Sequence, residues 1–279
     1  MRVRLLSFHV PYACRHSGAC CSAGWIEPKS DGVCRHFDAQ PGGSCTVHRT
    51  HGHEALPHAC RQFPRVATLS PLGTSVTLSA FCPTAAAMLF DDGPFAIETR
   101  DDARVYEGLD ARDVMPPLLR DGMLMDWESV ARWEELAVAA LSEHRHHAYR
   151  ALAIIEDASL AVCETWTPAD GALGEALDCA FREASGISVA PSGYGRAKER
   201  SRLRPFNAVA TETPDASSAM ARFFASHAFA CWPMYDGRGI RGALDWLVKV
   251  RTTLDEERRS HVLGEAFSQT DLRLRHAAG

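Results

Sequence analysis

The placing of the cysteines constrains this chain more than any other feature. Seven of its ten cysteines, at 14, 20, 21, 34, 45, 60 and 82, fall within the first 82 of 279 residues. Histidines 16, 36, 48, 51, 53 and 58 stand among them. From 12 to 64 neither the two-residue nor the 3.6-residue hydrophobic period is present, and Gly18, Gly24, Gly32, Pro41-Gly42-Gly43 and Pro57 break the segment at short intervals. Such a stretch has too few large apolar side chains to fold by burial alone. Disulfides or a metal ion could hold it instead. Cys20 and Cys21 are adjacent, with Cα atoms ~3.8 Å apart against the ~4.4–6.8 Å of a disulfide, so these two cannot easily bridge each other. Full pairing of an odd number would also need a partner from beyond residue 82.

The compartment bears on that choice. No apolar run long enough for a signal peptide precedes Pro11, and no stretch approaches the ~18–20 apolar residues of a membrane span. The expectation is a cytoplasmic protein without membrane contact, in a compartment where thiols stay reduced and clustered cysteines mean metal or redox chemistry more often than disulfides. A net charge of −5 argues against nucleic acid as the main partner. The apolar fraction of 46% and charged fraction of 23% are those of an ordinary folded protein.

Thiolates are soft, negatively charged ligands that suit zinc or the iron of an iron–sulfur centre, and four fill a tetrahedral site. Cys14 with Cys20 or Cys21 makes one short clip, and Cys45-Thr46-Val47-His48 makes another. Cys34, Cys60 and Cys82 would close the site from separate loops. The candidate ligands are therefore Cys14, Cys20, Cys21, Cys34, Cys45, Cys60, Cys82 and His48, for zinc or for iron, including a 4Fe-4S cluster. Seven thiols exceed one tetrahedral site. Either a second ion is bound with histidine help, with His51, His53 and His58 around Glu54 as candidates, or some thiols are catalytic or support the ligands from outside. In zinc-finger peptides such coordination supplies ~10–16 kcal/mol of folding free energy.

The run Tyr12-x-Cys14-x-x-Ser17-Gly18-Ala19-Cys20-Cys21, followed by Cys34, Cys45-Thr46-Val47-His48 and Cys60-Arg61-Gln62-Phe63-Pro64, resembles the bacterial CxxCxxCC family of zinc- or iron-chelating domains. Cys20-Cys21-x-x-Gly24-Trp25-Ile26, Phe63-Pro64-Arg65 and Cys82-Pro83-Thr84-Ala85-Ala86 are similar to its flagellin lysine-N-methylase branch. More loosely, Ala266-Phe267-Ser268 and Asp271-Leu272-Arg273 are similar to that family's C-terminal region. The resemblance implies metal or iron–sulfur binding. It implies two alternatives as well: an S-adenosylmethionine-dependent lysine methyltransferase acting on a protein substrate, or a metal-handling or interaction module without catalysis. Ser17 stands where the signature has its second cysteine, so one ligand is missing or replaced, for instance by His16. The C-x3-C-x2-C spacing of radical-initiating enzymes is absent.

Outside the cysteines the pattern is mostly helical. A strand is expected in 1–11, a hairpin in 65–80 around Ser70-Pro71-Leu72-Gly73, and a helix opening at Cys82-Pro83. Residues 91–122 read as mixed, with a strand-like 95–97 and a short helix before Pro116-Pro117. One long helix is expected over 127–163, with His144, His146 and His147 on its solvated face. Further helices follow from Pro168 to Gly186 and over 215–231, 239–257 and 261–275. Gly237-x-Gly239-x-x-Gly242 has the spacing of a dinucleotide fingerprint but follows a helical pattern, so it reads as a turn between helices. It is a candidate S-adenosylmethionine contact only under the methylase alternative. Alternating Arg196, Lys198, Arg200, Arg202 and Arg204 form a solvated loop or an anion contact. Cys163, Cys179 and Cys231 lie in apolar helical segments as small buried hydrophobes. The expected fold is α+β and mostly α. A cysteine-rich metal-binding module with a hairpin, 1–90, packs on a bundle of about five helices, 91–279, as two units or one continuous domain.

Overall fold

The computed structural model describes residues 2–15, 18–22, 33–38, 44–186 and 213–276. Its first strand, β1 (Arg2–Leu6), alternates as a strand must: Val3 and Leu5 join one apolar cluster while Leu6 joins another. Short elements follow: α1 (Ala19–Ser22), β2 (Phe37–Asp38), β3 (Ser44–Cys45), α2 (Thr46–His51) and α3 (His58–Gln62). The expected hairpin is present as β4 (Arg65–Ser70) and β5 (Gly73–Leu78), turning at Pro71-Leu72. Gly73 has φ +118°, and a Cβ there would lie 2.8 Å from the Arg2 carbonyl oxygen, so glycine is required where the turn meets β1.

Helix α4 (Pro83–Met88) opens at Cys82 as its sequence foretells, with Pro83 in the first turn. The strands β6 (Ile97–Asp101) and β7 (Leu109–Asp110) then complete a five-stranded mixed sheet of order β6-β1-β5-β4-β7. Within it β1 runs parallel to β5, Val3 opposite Thr74 and Leu5 opposite Val76, and antiparallel to β6. No helix forms before Pro116-Pro117; residues 97–101 instead cover the open edge of β1 and satisfy its backbone.

A small hairpin, β8 (Leu118–Arg120) and β9 (Met123–Leu124), leads into the helices α5 (Trp127–Glu143), α6 (Ala148–Thr165), α7 (Leu173–Ala184), α8 (Pro214–Ala228), α9 (Gly239–Glu257) and α10 (Leu263–Asp271), the last running into a π-turn over Leu272–His276. Asp126 caps α5 by accepting the Ser129 N–H at 2.7 Å, and Thr213 with Pro214 opens α8 in the same manner. Trp133, Leu152, Ile155, Phe223, Phe224 and Phe267 are wholly buried, and Leu6, Phe8, Ala80, Leu89 and Phe95 from the N-terminal part join the same cluster. The fold is thus α+β, mostly helical, with a small mixed sheet. Among the described residues no helix is long and apolar enough to cross a membrane.

The single helix expected over 127–163 is two helices. The chain turns at His144, whose φ and ψ are −100° and 26°, and the three histidines lie at this corner rather than along a helix face. Helix α8 holds the corner, because Ser217 Oγ accepts the Ala148 N–H at 2.9 Å. The seven-residue step from buried Leu141 to buried Ala148 keeps helical phase, so the hydrophobic pattern carries no trace of the break. Of the glycine-rich stretch expected as an inter-helix turn, only Gly237 lies in the turn, while Gly239 and Gly242 belong to the first turn of α9; Gly239 has φ +54°, and a Cβ there would overlap the Leu118 carbonyl. The arginine-bearing loop at 196–204 lies outside the described residues.

Two buried polar links tie sheet to helices. Arg4 pairs with Glu134 of α5 at 2.5 Å, and Glu134 also accepts the Ala230 N–H at 3.1 Å. Asp271, at the end of α10, accepts the Ala80 N–H at 2.6 Å and faces His227 Nε2 at 2.9 Å. Arg275 donates to His227 Nδ1 at 3.1 Å. That bond leaves the imidazole proton on Nε2, toward Asp271.

Candidate functional site

A cavity of about 800 Å³ gathers nearly all of the ligands anticipated from the sequence. Cys14 reaches it from the loop after β1, Cys20 and Cys21 from α1, Cys45 and His48 from the β3–α2 junction, Cys60 from α3 and Cys82 from the start of α4. Cys34 is the exception. Its N–H donates to the Cys21 carbonyl at 2.9 Å, so its buried thiol lies beside Cys21 but is not part of the lining.

Local chain geometry accounts for these placements. Cys45 is extended, with φ −73° and ψ 121°, and precedes the first turn of α2; three residues on, His48 returns to the same side of the helix. Cys82 repeats the arrangement at the start of α4, with φ −76° and ψ 119°. The Tyr12 hydroxyl stands 3.6 Å from Cys82 Sγ. Burial, and then the Cys82 charge, raise the Tyr12 pKa, so the phenol stays protonated and can donate to a thiolate. Within α1 the two adjacent thiols share a hydrogen bond. This bond holds Cys20 below the ordinary thiol range and pushes Cys21 above it, with burial and the charges of Cys20, Cys45 and Cys34 adding to the rise.

None of the ten cysteines is joined in a disulfide. Among the described residues, no three Cys, His, Asp or Glu side chains stand close enough together to hold an ion, so the thiols border a common space without meeting at a point. The second histidine group is divided. His53 and His58 line the cavity and each lies beside its own carboxylate, His53 Nδ1 at 3.4 Å from Glu54 and His58 Nε2 at 2.7 Å from Glu107, while exposed His51 does not line it. The remaining cysteines lie elsewhere. Cys163 is buried and donates its S–H to the Leu119 carbonyl at 3.0 Å, with its pKa pushed up to about 12 by burial, and buried Cys231 is raised for the same reason. Cys179 is half-buried beside Arg182.

Sequence reading missed part of the lining: Tyr12, Arg65, Arg104, Tyr106 and Glu107. Residues 104–107 come from the segment between β6 and β7, anchored by the Tyr106 hydroxyl donating to Asp102 at 2.8 Å and by Gln62 Nε2 donating to the Val105 carbonyl at 3.1 Å. No sequence signal marks these residues, because their role follows from the pairing of β7 with β4. The chain matches no protein-family profile, no curated protein and no solved structure.

Proposed function

We propose that this chain is a metal-binding cysteine-cluster protein that takes zinc or iron, the iron as single ions or as a 4Fe-4S cluster, at the thiol-lined cavity. One observation carries the reading: cysteines from five separate stretches of chain, with His48, border one cavity, and none is tied off in a disulfide. Soft donors of this kind fit zinc and iron–sulfur iron and fit hard cations poorly. Cys14, Cys20, Cys21, Cys45, Cys60, Cys82 and His48 would hold the metal, with Cys34 supporting Cys21 from outside. A bound ion supplies cross-links among segments that share almost no apolar core, and it offsets the repulsion that keeps uncompensated thiolates apart. Tyr12 positions Cys82 by donating to its sulfur, as partners of metal-bound groups commonly do.

Elemental analysis of protein purified without added metal tests this directly. Zinc or iron at one equivalent or more is expected, reduced in Cys20→Ser and Cys60→Ser and unchanged in Cys179→Ser. Iron would further show itself by colour. A metal-free protein whose cysteine segment is nonetheless ordered would overturn the reading.

A further inference from the structure

The cavity is larger than a metal site alone requires. A volume of about 800 Å³ is in the range of pockets that enclose small molecules, ~300–1,000 Å³. Besides the thiols and two carboxylates, its lining is basic and aromatic, with His58, Arg61, Arg65 and Arg104 beside Tyr12 and Tyr106. Two of these side chains already have carboxylates: Arg61 lies 3.6 Å from Glu54, and His58 lies 2.7 Å from Glu107. Arg65 and Arg104 do not. Among the described residues neither makes an ion pair; the Arg65 guanidinium donates to the Arg61 carbonyl at 3.4 Å and lies 5.5 Å from the centre of the Tyr12 ring. Asp102 nearby is engaged by the Tyr106 hydroxyl and the Arg104 backbone N–H. Burial first, and the like charge of Arg104 second, lower the Arg65 pKa, and the Asp102 carboxylate, which acts on both guanidinium groups, offsets this only in part.

We propose that Arg65 and Arg104 bind the oxyanion, carboxylate or phosphate, of a small molecule that occupies the cavity alongside the metal. A guanidinium fork matches either group with paired charge-assisted hydrogen bonds, and the adjoining aromatic rings would cover the ligand's apolar part. The inference rests on the metal reading only for what fills the thiol side.

Calorimetric titration of the full chain with inorganic phosphate and with acetate, against chloride at matched ionic strength, tests it and separates the two oxyanions. Saturable binding of at least one is expected, weakened about tenfold or more in Arg104→Gln, the size of one lost charge-assisted hydrogen bond. Arg104 is exposed, so that variant keeps its fold even if Arg65→Gln does not. The proposal is overturned if neither oxyanion binds better than chloride. It is also overturned if Arg104→Gln binds phosphate and acetate as the parent does, or changes only the metal content, which would make the arginines counter-charges to the thiolates. Metal content measured on the same samples keeps the two readings apart, since its absence from the parent chain strikes the metal assignment while the titration still decides the oxyanion site.

Discussion

The helical bundle and the cysteine segment are held by different means. In the bundle, Trp133, Phe223, Phe224 and Phe267 are buried without remainder, and interdigitation of large side chains stabilises the whole. Between residues 12 and 62, among those described, the buried apolar side chains are Cys21, Cys34 and Leu56. Burying a leucine contributes ~1.5–3 kcal/mol, whereas ordering the backbone costs ~1–2 kcal/mol for every residue fixed. The segment therefore relies on something besides a core, and the thiols around its cavity are the groups able to provide it. On the proposed reading, one chain thus combines a region where volume decides stability with a region where ligation would.

The sharpest way to break this contrast is to strip the proposed metal. A strong chelator under reducing conditions should open residues 12–64 to hydrogen exchange while α5, α6 and α7 stay protected, an effect on the order of the ~10–16 kcal/mol that structural zinc contributes in small domains. Equal loss of protection in both regions, or none in either, would erase the distinction. A smaller effect should come from the link between the regions. Glu134→Gln leaves the buried Arg4 guanidinium without its anion, and loss of one partner of such a pair costs about 3–5 kcal/mol. Thermal unfolding should register that loss with metal content unchanged; a variant that also sheds metal would show that the two regions do not hold independently.

Acid provides the third probe. Burial lowers the pKa of His9 to about 3 and of His227 to about 4, with the Arg275 charge adding to both. Both are neutral in the fold, whereas the unfolded chain protonates them near pH ~6.5. The unfolded state then binds more protons between pH ~6.5 and 4, so stability must fall as pH drops through that window and stay level above it. The decline assignable to His227 is on the order of 3 kcal/mol at full effect. Urea midpoints read by tryptophan fluorescence should show it, and His227→Gln should flatten the slope. Asp271 acts lower, since Arg275 and His227 hold its carboxyl below the usual range and its contribution disappears only under pH ~3.8.

Much of this arrangement was legible in the sequence, where local chemistry specifies structure. The turn of the β4–β5 hairpin, the proline at the start of α4, the apolar stripe of α7 and the glycines at the start of α9 each act within a few residues. The cysteine positions showed which residues could share a site, and six of the seven thiols border the same cavity. Features set by distant partners were hidden. The corner at His144 depends on Ser217, the parallel pairing of β1 with β5 spans some seventy residues, and Arg104 reaches the cavity because β7 pairs with β4. Cys34 carries the same signal as its fellows, yet its bond to the Cys21 carbonyl keeps it out of the lining.

The sheet also has a consequence for how easily the thiols could gather round the proposed ion. Leu5 and Ala67 both stand opposite Val76, so the strand entering the cysteine segment and the strand leaving it are clasped two strand spacings apart, about 10 Å. A stretch of roughly 60 residues is thereby closed at its base before any ligand binds, which removes about 3–4 kcal/mol of loop-closure entropy that a severed peptide of the same sequence would still have to supply. The hairpin and the first strand thus act as the hasp of a purse whose mouth the proposed metal would draw shut.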